Sequence, residues 1–176
     1  MYELSTPPPC FTYVNNSEIN IRISKVLELK ERNSINRWEM MRCNGSGISV
    51  SLQSRFEEVE GIHSVALTVG TRYFGTRSQM RHDILDYNIR VYFEIEPFDS
   101  LRTGSGNDIS LPPSLMTLMY GVAIGALRGM LAQKLAGTTL EICPLPLVNI
   151  SELVSRHIYG SGPSDLMIPL EDFRYN

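Results

Sequence analysis

Residues 85–96 read LDYNIRVYFEIE, and this stretch decides the fold of the chain. Its apolar and polar residues alternate: Leu85, Tyr87, Ile89, Val91, Phe93 and Ile95 stand between Asp86, Asn88, Arg90, Tyr92, Glu94 and Glu96. A period of two is typical of a β-strand with one buried face and one wet face. Pro97 ends the run, because proline cannot continue a central hydrogen-bonded ladder.

Three earlier segments repeat this pattern. Alternating apolar residues predict strands at 19–30, 48–53 and 64–74. In the first of them the alternation changes phase after Ser24, which predicts a bulge or a sharp bend. The acidic segment 57–61 is predicted to turn the chain between the second and third strands. Four consecutive strands with short links and one polar face are typical of an antiparallel sheet with one side in water.

A long apolar helix is predicted after the sheet, over residues 114–136. Pro112 and Pro113 precede it and Gly137 follows it, as at helix boundaries. The uninterrupted apolar run inside it, 115–127, is shorter than the ~20 residues of a membrane span, so we expect a buried core helix and no membrane insertion. Because the helix is apolar nearly all round, we expect a partner subunit to cover the face that the sheet leaves free.

Three glycines form a stripe along this helix. Gly121, Gly125 and Gly129 recur every four residues, which leaves bare backbone on one side. Such a stripe allows another helix to approach closely and is a candidate oligomer interface. Tight packing of the helix on its own sheet is an equally open interpretation.

The rest of the chain completes an α+β organisation. Residues 140–148 are predicted to form an extended, proline-rich crossover, and residues 151–159 a short amphipathic helix with Leu153, Val154 and Ile158 inward. The predicted fold is a four-stranded antiparallel sheet followed by a long helix, the crossover and a short C-terminal helix. The 176 residues fit one domain, at 19–159, with an N-terminal extension at 1–18 and a C-terminal tail at 160–176.

Composition and charge narrow the function classes. The hydrophobic fraction of 43% and charged fraction of 20% are those of a globular chain. A net charge of −3 offers no basic footprint, so we expect no nucleic-acid partner. The three cysteines are far apart and odd in number, which predicts neither a disulfide framework nor a zinc site. No basic region followed by an apolar region opens the sequence, so we expect no secretory signal and a cytoplasmic location.

Groups that could perform catalysis do not converge in the sequence. His63, His82 and His157 are isolated from one another and lack metal-ligand spacing. Glu57 and Glu58 fall in the predicted turn, where solvated charge is the simplest interpretation. Without an acid/base pair, a nucleophile with a base, a metal cluster or a phosphate loop, we expect no enzyme, no metal and no cofactor.

Three motifs occupy the last third of the chain: LMYGV at 118–122, GTTL at 137–140 and CPLPLVNI at 143–150. With the four predicted strands before them, they resemble the SecB family of protein-export chaperones. The positions that match the family's motifs are Tyr120, Gly137, Pro146 and Asn149. The proline and arginine of the family's helix-opening stretch are absent, so the resemblance is to a divergent member.

The resemblance implies a function. SecB proteins are cytoplasmic chaperones that bind unfolded or precursor polypeptides and deliver them to the SecA motor. Their subunits pair through sheet edges, and the helices of two dimers sandwich into a homotetramer, a dimer of dimers. Two alternatives stay open for this chain: a SecB-like chaperone dedicated to a single client such as an antitoxin, or a non-catalytic structural or assembly protein.

The resemblance also implies a client-binding groove between helix and crossover. Methionine suits such a groove because its side chain reshapes readily. The residues assigned to the groove are Met116, Met119, Tyr120 and Met130 on one wall and Phe56, Ile142, Leu145 and Leu147 on the other. Ordinary core packing is the alternative for each of them.

The resemblance further implies a motor contact on the wet face of the fourth strand. Its candidate residues are Asp86, Arg90, Glu94 and Glu96. Surface solvation alone explains these charges equally well.

Overall fold

The computed structural model describes residues 19–29, 31–35, 48–59, 63–77, 80–102, 109–158 and 166–169. The strands are β1 (Asn20–Glu28), β2 (Arg32–Asn33), β3 (Ile48–Val59), β4 (Ser64–Arg77), β5 (Met80–Glu96) and β6 (Leu166–Pro169). The helices are α1 (Pro113–Leu135), α2 (Ile150–Ile158) and two 3-10 turns, Phe98–Leu101 and Thr139–Ile142. The predicted α+β class is confirmed, and the predicted extension at 1–18 lies outside the described residues.

All neighbouring strands pair antiparallel in one sheet, in the order β1-β5-β4-β3-β6, with β2 also paired to β5. The apolar positions of residues 85–96 are buried, as the alternation predicts. β2 and β6 were not predicted, because segments of two and four residues are too short to show a period of two. β6 lies within the predicted tail and pairs with β3.

The predicted phase change in the first strand is a register shift between Ile23 and Lys25. Ile23 lies opposite Phe93 before the shift, and Val26 lies opposite Val91 after it. Since Phe93 and Val91 are buried, the bulge returns Val26 to the apolar face of the sheet. Ile23 and Val26 nevertheless remain exposed, because α1 packs mainly on β4 and β5.

The segment predicted as a turn, 57–61, instead continues β3 through Val59. Glu57 pairs in the ladder with Ala66, and its carboxylate lies 2.9 Å from Arg90. Glu58 likewise lies 3.3 Å from Arg102. The turn prediction was wrong at these residues because arginines distant in sequence neutralise carboxylates that by themselves disfavour a strand.

α1 begins and ends within one residue of the predicted helix. Gly137 follows it with a φ of 75°, a conformation that glycine adopts without strain. The buried face of α1 carries Leu115, Met116, Met119, Tyr120, Ala123, Ile124, Leu127, Leu131 and Leu135. Its length and hydropathy would also fit a membrane span, and 44% of its most apolar stretch is buried within this structure.

The opposite face of α1 carries the glycine stripe. A methyl group built on Gly125 or Gly129 would meet no described atom within 4 Å, and one on Gly121 would meet only Ile150 Cδ1, at 3.8 Å. The interpretation that the stripe packs on the chain's own sheet is therefore wrong. This side of the helix stays open in the described part of a single chain.

The crossover is tied to both layers of the fold. The hydroxyl of Tyr73 on β4 donates to the carbonyl of Cys143 at 2.9 Å, and the guanidinium of Arg128 on α1 donates to the carbonyl of Pro146 at 2.8 Å. Asn149 then caps α2, since its Oδ1 accepts from the backbone N–H of Glu152 at 3.3 Å. After the crossover, α2 packs against α1.

Candidate functional site

A cavity of about 430 Å³ opens at the end of the sheet where α1 begins. Strands β3 and β4, the segment 109–111, the first turns of α1 and the last turn of α2 surround it. Its lining is Phe56, Glu57, Glu58, Val65, Ile109, Ser110, Leu111, Met116, His157 and Ile158. A cavity of this size is in the range of protein ligand sites.

Aromatic rings form one wall of the cavity. Phe56 makes edge-to-face contacts with Tyr120, at 5.1 Å between ring centroids, and with His157, at 5.0 Å. Tyr120 is buried, and its hydroxyl lies 2.9 Å from Ser54 Oγ, which fixes its ring. Burial raises the pKa of Tyr120, so its hydroxyl stays neutral. Phe56 thus packs between a buried core ring and a ring on the surface.

Aliphatic side chains supply most of the remaining lining. Val65 and Met116 are buried and belong to the core, whereas Ile109 and Leu111 are partly buried and pack against it. Ile158 was predicted to point inward, but the residue is 47% exposed. It is therefore an apolar group that a bound molecule could cover.

The two carboxylates of the lining are already paired. Glu57 contacts Arg90 at 2.9 Å and Arg55 at 3.1 Å. Glu58 contacts Arg102 at 3.3 Å. These pairs balance the charge at the rim, so the cavity is suited to hold apolar groups rather than an ion. Among the described residues, no group of three or more His, Cys, Asp or Glu side chains could hold a metal ion.

The structure brings together two of the predicted groove residues, Phe56 and Met116, in this cavity. Met119, Tyr120 and Leu145 are buried in the core instead, and Met130 is partly buried against it. Leu147 is 84% exposed on the crossover, away from the cavity lining. The side chain of Ile142 lies outside the described residues.

Sequence reasoning missed most of the lining, including Ile109, Leu111 and His157. The segment 109–111 has no periodic pattern, and a lone histidine carries no signal of its own. His157 meets Phe56 only because the crossover places α2 beside β3, a contact between residues about a hundred positions apart.

The predicted motor-contact residues share the outward face of β5. Asp86 lies 3.0 Å from Arg72, Arg90 lies 2.9 Å from Glu57, and Glu94 pairs with Arg22. Glu96 is exposed at the end of the strand. Three of these four side chains therefore belong to cross-strand ion pairs, and the face is charge-balanced rather than strongly acidic. Their contact with a motor stays a prediction.

The chain was compared with protein families, curated proteins and solved structures, and only the solved structures gave a resemblance, at low sequence identity. No protein-family model matches it, and no curated protein matches it. Among solved structures, it is similar to the Mycobacterium tuberculosis SecB-like chaperone in complex with a ChAD peptide from the HigA1 antitoxin. The identity is 13% and the TM-score 0.41, over 74% of this chain and 86% of that chain. A likeness this distant does not establish family membership.

Proposed function

We propose that this chain is a SecB-like molecular chaperone without enzymatic activity, which binds unfolded or non-native polypeptides. The observation that supports it is the cavity at the start of α1, where the aromatic wall and the exposed Ile158 meet a charge-balanced rim. Apolar side chains exposed by an unfolded client fit such a site, because they need area rather than fixed hydrogen-bond partners.

The chemistry of the lining suits clients of varied sequence. Met116 has an unbranched, polarizable side chain that adapts to different shapes. Phe56 offers an aromatic surface, and aromatic pairs are worth about 0.5–1.5 kcal/mol beyond the area they bury. Val65 on β4 adds a branched aliphatic side chain to the lining. The site therefore combines aromatic and aliphatic surfaces.

One cavity is too small to hold an unfolded chain tightly. Full burial of one large apolar side chain contributes roughly 1.5–3 kcal/mol, whereas micromolar affinity needs about 8 kcal/mol. Several cavities on one assembly would bind one client together and gain affinity by avidity. The proposed mechanism therefore calls for an oligomer.

The open face of α1 is the proposed place for assembly. Gly125 and Gly129 are exposed there and would let a helix of a second copy approach closely. We propose a homotetramer, a dimer of dimers, in which these faces meet. Export, a cytoplasmic location and a contact between the outward face and a SecA motor belong to the same proposal.

Light scattering coupled to size exclusion tests this proposal. The protein is run alone and with reduced, carboxymethylated α-lactalbumin, a chain that cannot refold. We expect a tetramer that co-elutes with this client. A monomer that ignores it would refute the proposal. If the protein retains only one partner from a cell extract, with no affinity for α-lactalbumin, the dedicated-chaperone alternative is favoured.

A pair of matched variants tests the location of the site. Ile158→Ser removes an exposed apolar group from the cavity, and Leu147→Ser removes one from the crossover. We expect Ile158→Ser to weaken client affinity by roughly tenfold, which is about 1.4 kcal/mol. Leu147→Ser should leave it unchanged, and the reverse result would return the site to the crossover. Far-UV circular dichroism confirms that both variants fold.

A further inference from the structure

His157 differs from the other ionisable side chains of the cavity lining, Glu57 and Glu58. Its ring packs against Phe56, yet the residue remains exposed at the last turn of α2. Glu57 and Glu58 are held by arginines, whereas no hydrogen bond joins the His157 imidazole to another group in the described part of the chain. The imidazole is therefore the ionisable group of the lining that is free to respond to a ligand.

We propose that His157 is a client-contacting residue whose neutral form the bound state requires, so that client binding weakens on acidification. The inference rests on the proposed chaperone function and adds a pH dependence to its binding site.

The sign follows from desolvation. A client side chain placed against Phe56 would cover the imidazole and remove water from it, which disfavours the charged form. Partial burial already lowers the pKa of His157 in the free protein, and the bound client lowers it further. The free state therefore binds more protons than the complex. Affinity is complete above the pKa of the free state and falls as the pH drops through it, by at most tenfold per pH unit for one proton.

Charged groups around His157 oppose this effect only weakly. The charged residues that line the cavity from other elements are Glu57 and Glu58 on β3. Their ion-pair partners, Arg55, Arg90 and Arg102, lie outside the lining. On α2 itself, Arg156 pairs with Glu152. The carboxylates would favour an imidazolium, but their arginines cancel most of that attraction. The residues contributed to the lining by α1, β4 and the segment 109–111 carry no charge.

Client affinity measured at two pH values tests the proposal. Fluorescently labelled, reduced and carboxymethylated α-lactalbumin is titrated with the wild-type protein at about pH 8 and about pH 5, because the pKa of His157 lies below the ordinary histidine value of about 6.5. We expect wild-type affinity to fall at least about threefold at the lower pH. His157→Gln, which cannot ionise, should show a loss smaller by that factor, and His157→Phe should bind client at both pH values.

His63→Gln is the matched control, since His63 stacks on Phe98 at 5.5 Å and does not line the cavity. It should keep the wild-type pH dependence, including any contribution from the client's own charges. Circular dichroism at both pH values confirms that each variant is folded.

The outcomes separate the two proposals. If wild-type protein captures client equally at both pH values, or if His157→Gln keeps the full pH dependence, the role of His157 is refuted while the chaperone function stands. If wild-type protein captures no client at either pH, the chaperone function fails and the role of His157 fails with it.

Discussion

The two sides of α1 are both largely apolar, but one is buried against the sheet and the other is open. Leu127 and Leu131 lie on one side and are buried against the sheet. Gly125 and Gly129 lie on the other and are exposed, with no described atom near enough to touch an added methyl group. Both sides are apolar, but only the side with Leu127 and Leu131 stabilises the single chain, because only that side is buried. The second side stays open in the described part of a single chain, and under the proposed function it is where a second copy would pack.

The largest expected effect comes from the buried side. Leu127→Ala should lower the free energy of unfolding by about 2–5 kcal/mol, because it removes buried methyl groups and leaves a cavity. Gly129→Ala on the open side should instead be neutral or stabilise the monomer by up to about 1 kcal/mol, since alanine favours a helix. Denaturant unfolding of both variants measures the contrast. Equal losses would mean that both sides are packed.

A bulky residue on the open side should act on assembly instead of folding. A Cβ atom at position 125 meets no described atom within 4 Å, and the large side chain of Gly125→Trp would hold two helices apart. We expect light scattering to show a smaller oligomer and circular dichroism to show intact secondary structure. An unchanged molar mass would mean that the glycine stripe lies outside the interface.

The smallest effect is expected at the end of α1. Lys134 lies 2.7 Å from Glu28 and 2.5 Å from Glu31, which ties the last turn of the helix to β1 and the residues after it. These partners raise the pKa of Lys134, so the contacts persist up to strongly basic pH. Because the ammonium is near the surface, Lys134→Met should cost at most about 1 kcal/mol in urea unfolding. A loss of several kcal/mol would mean that this contact, rather than apolar packing, holds the helix in place.

Local pattern predicted much of the fold. The alternation in β5 identified its buried face, the phase change after Ser24 located the bulge, and the proline and glycine signals bounded α1. These features depend on neighbouring residues, so the sequence carries them directly.

Features that depend on distant residues escaped prediction. Glu58 resembled a turn residue because its partner Arg102 is 44 positions away. The buried side of α1 could not be chosen from a helix that is apolar all round, so Met119 and Tyr120 were assigned to a groove although they lie in the core. The cavity itself arises where β3, α1 and α2 meet, and of its lining only Phe56 and Met116 were predicted.

Site-specific photo-crosslinking to an unfolded client tests the central claim most directly. A photoreactive phenylalanine is placed at position 158 in one variant and at position 147 in another, and each is irradiated with reduced, carboxymethylated α-lactalbumin. Both positions are exposed and apolar in the wild-type protein, but only Ile158 lines the cavity. The account predicts crosslinking from position 158 and little from position 147. Crosslinking from position 147 alone, or from neither, would contradict it.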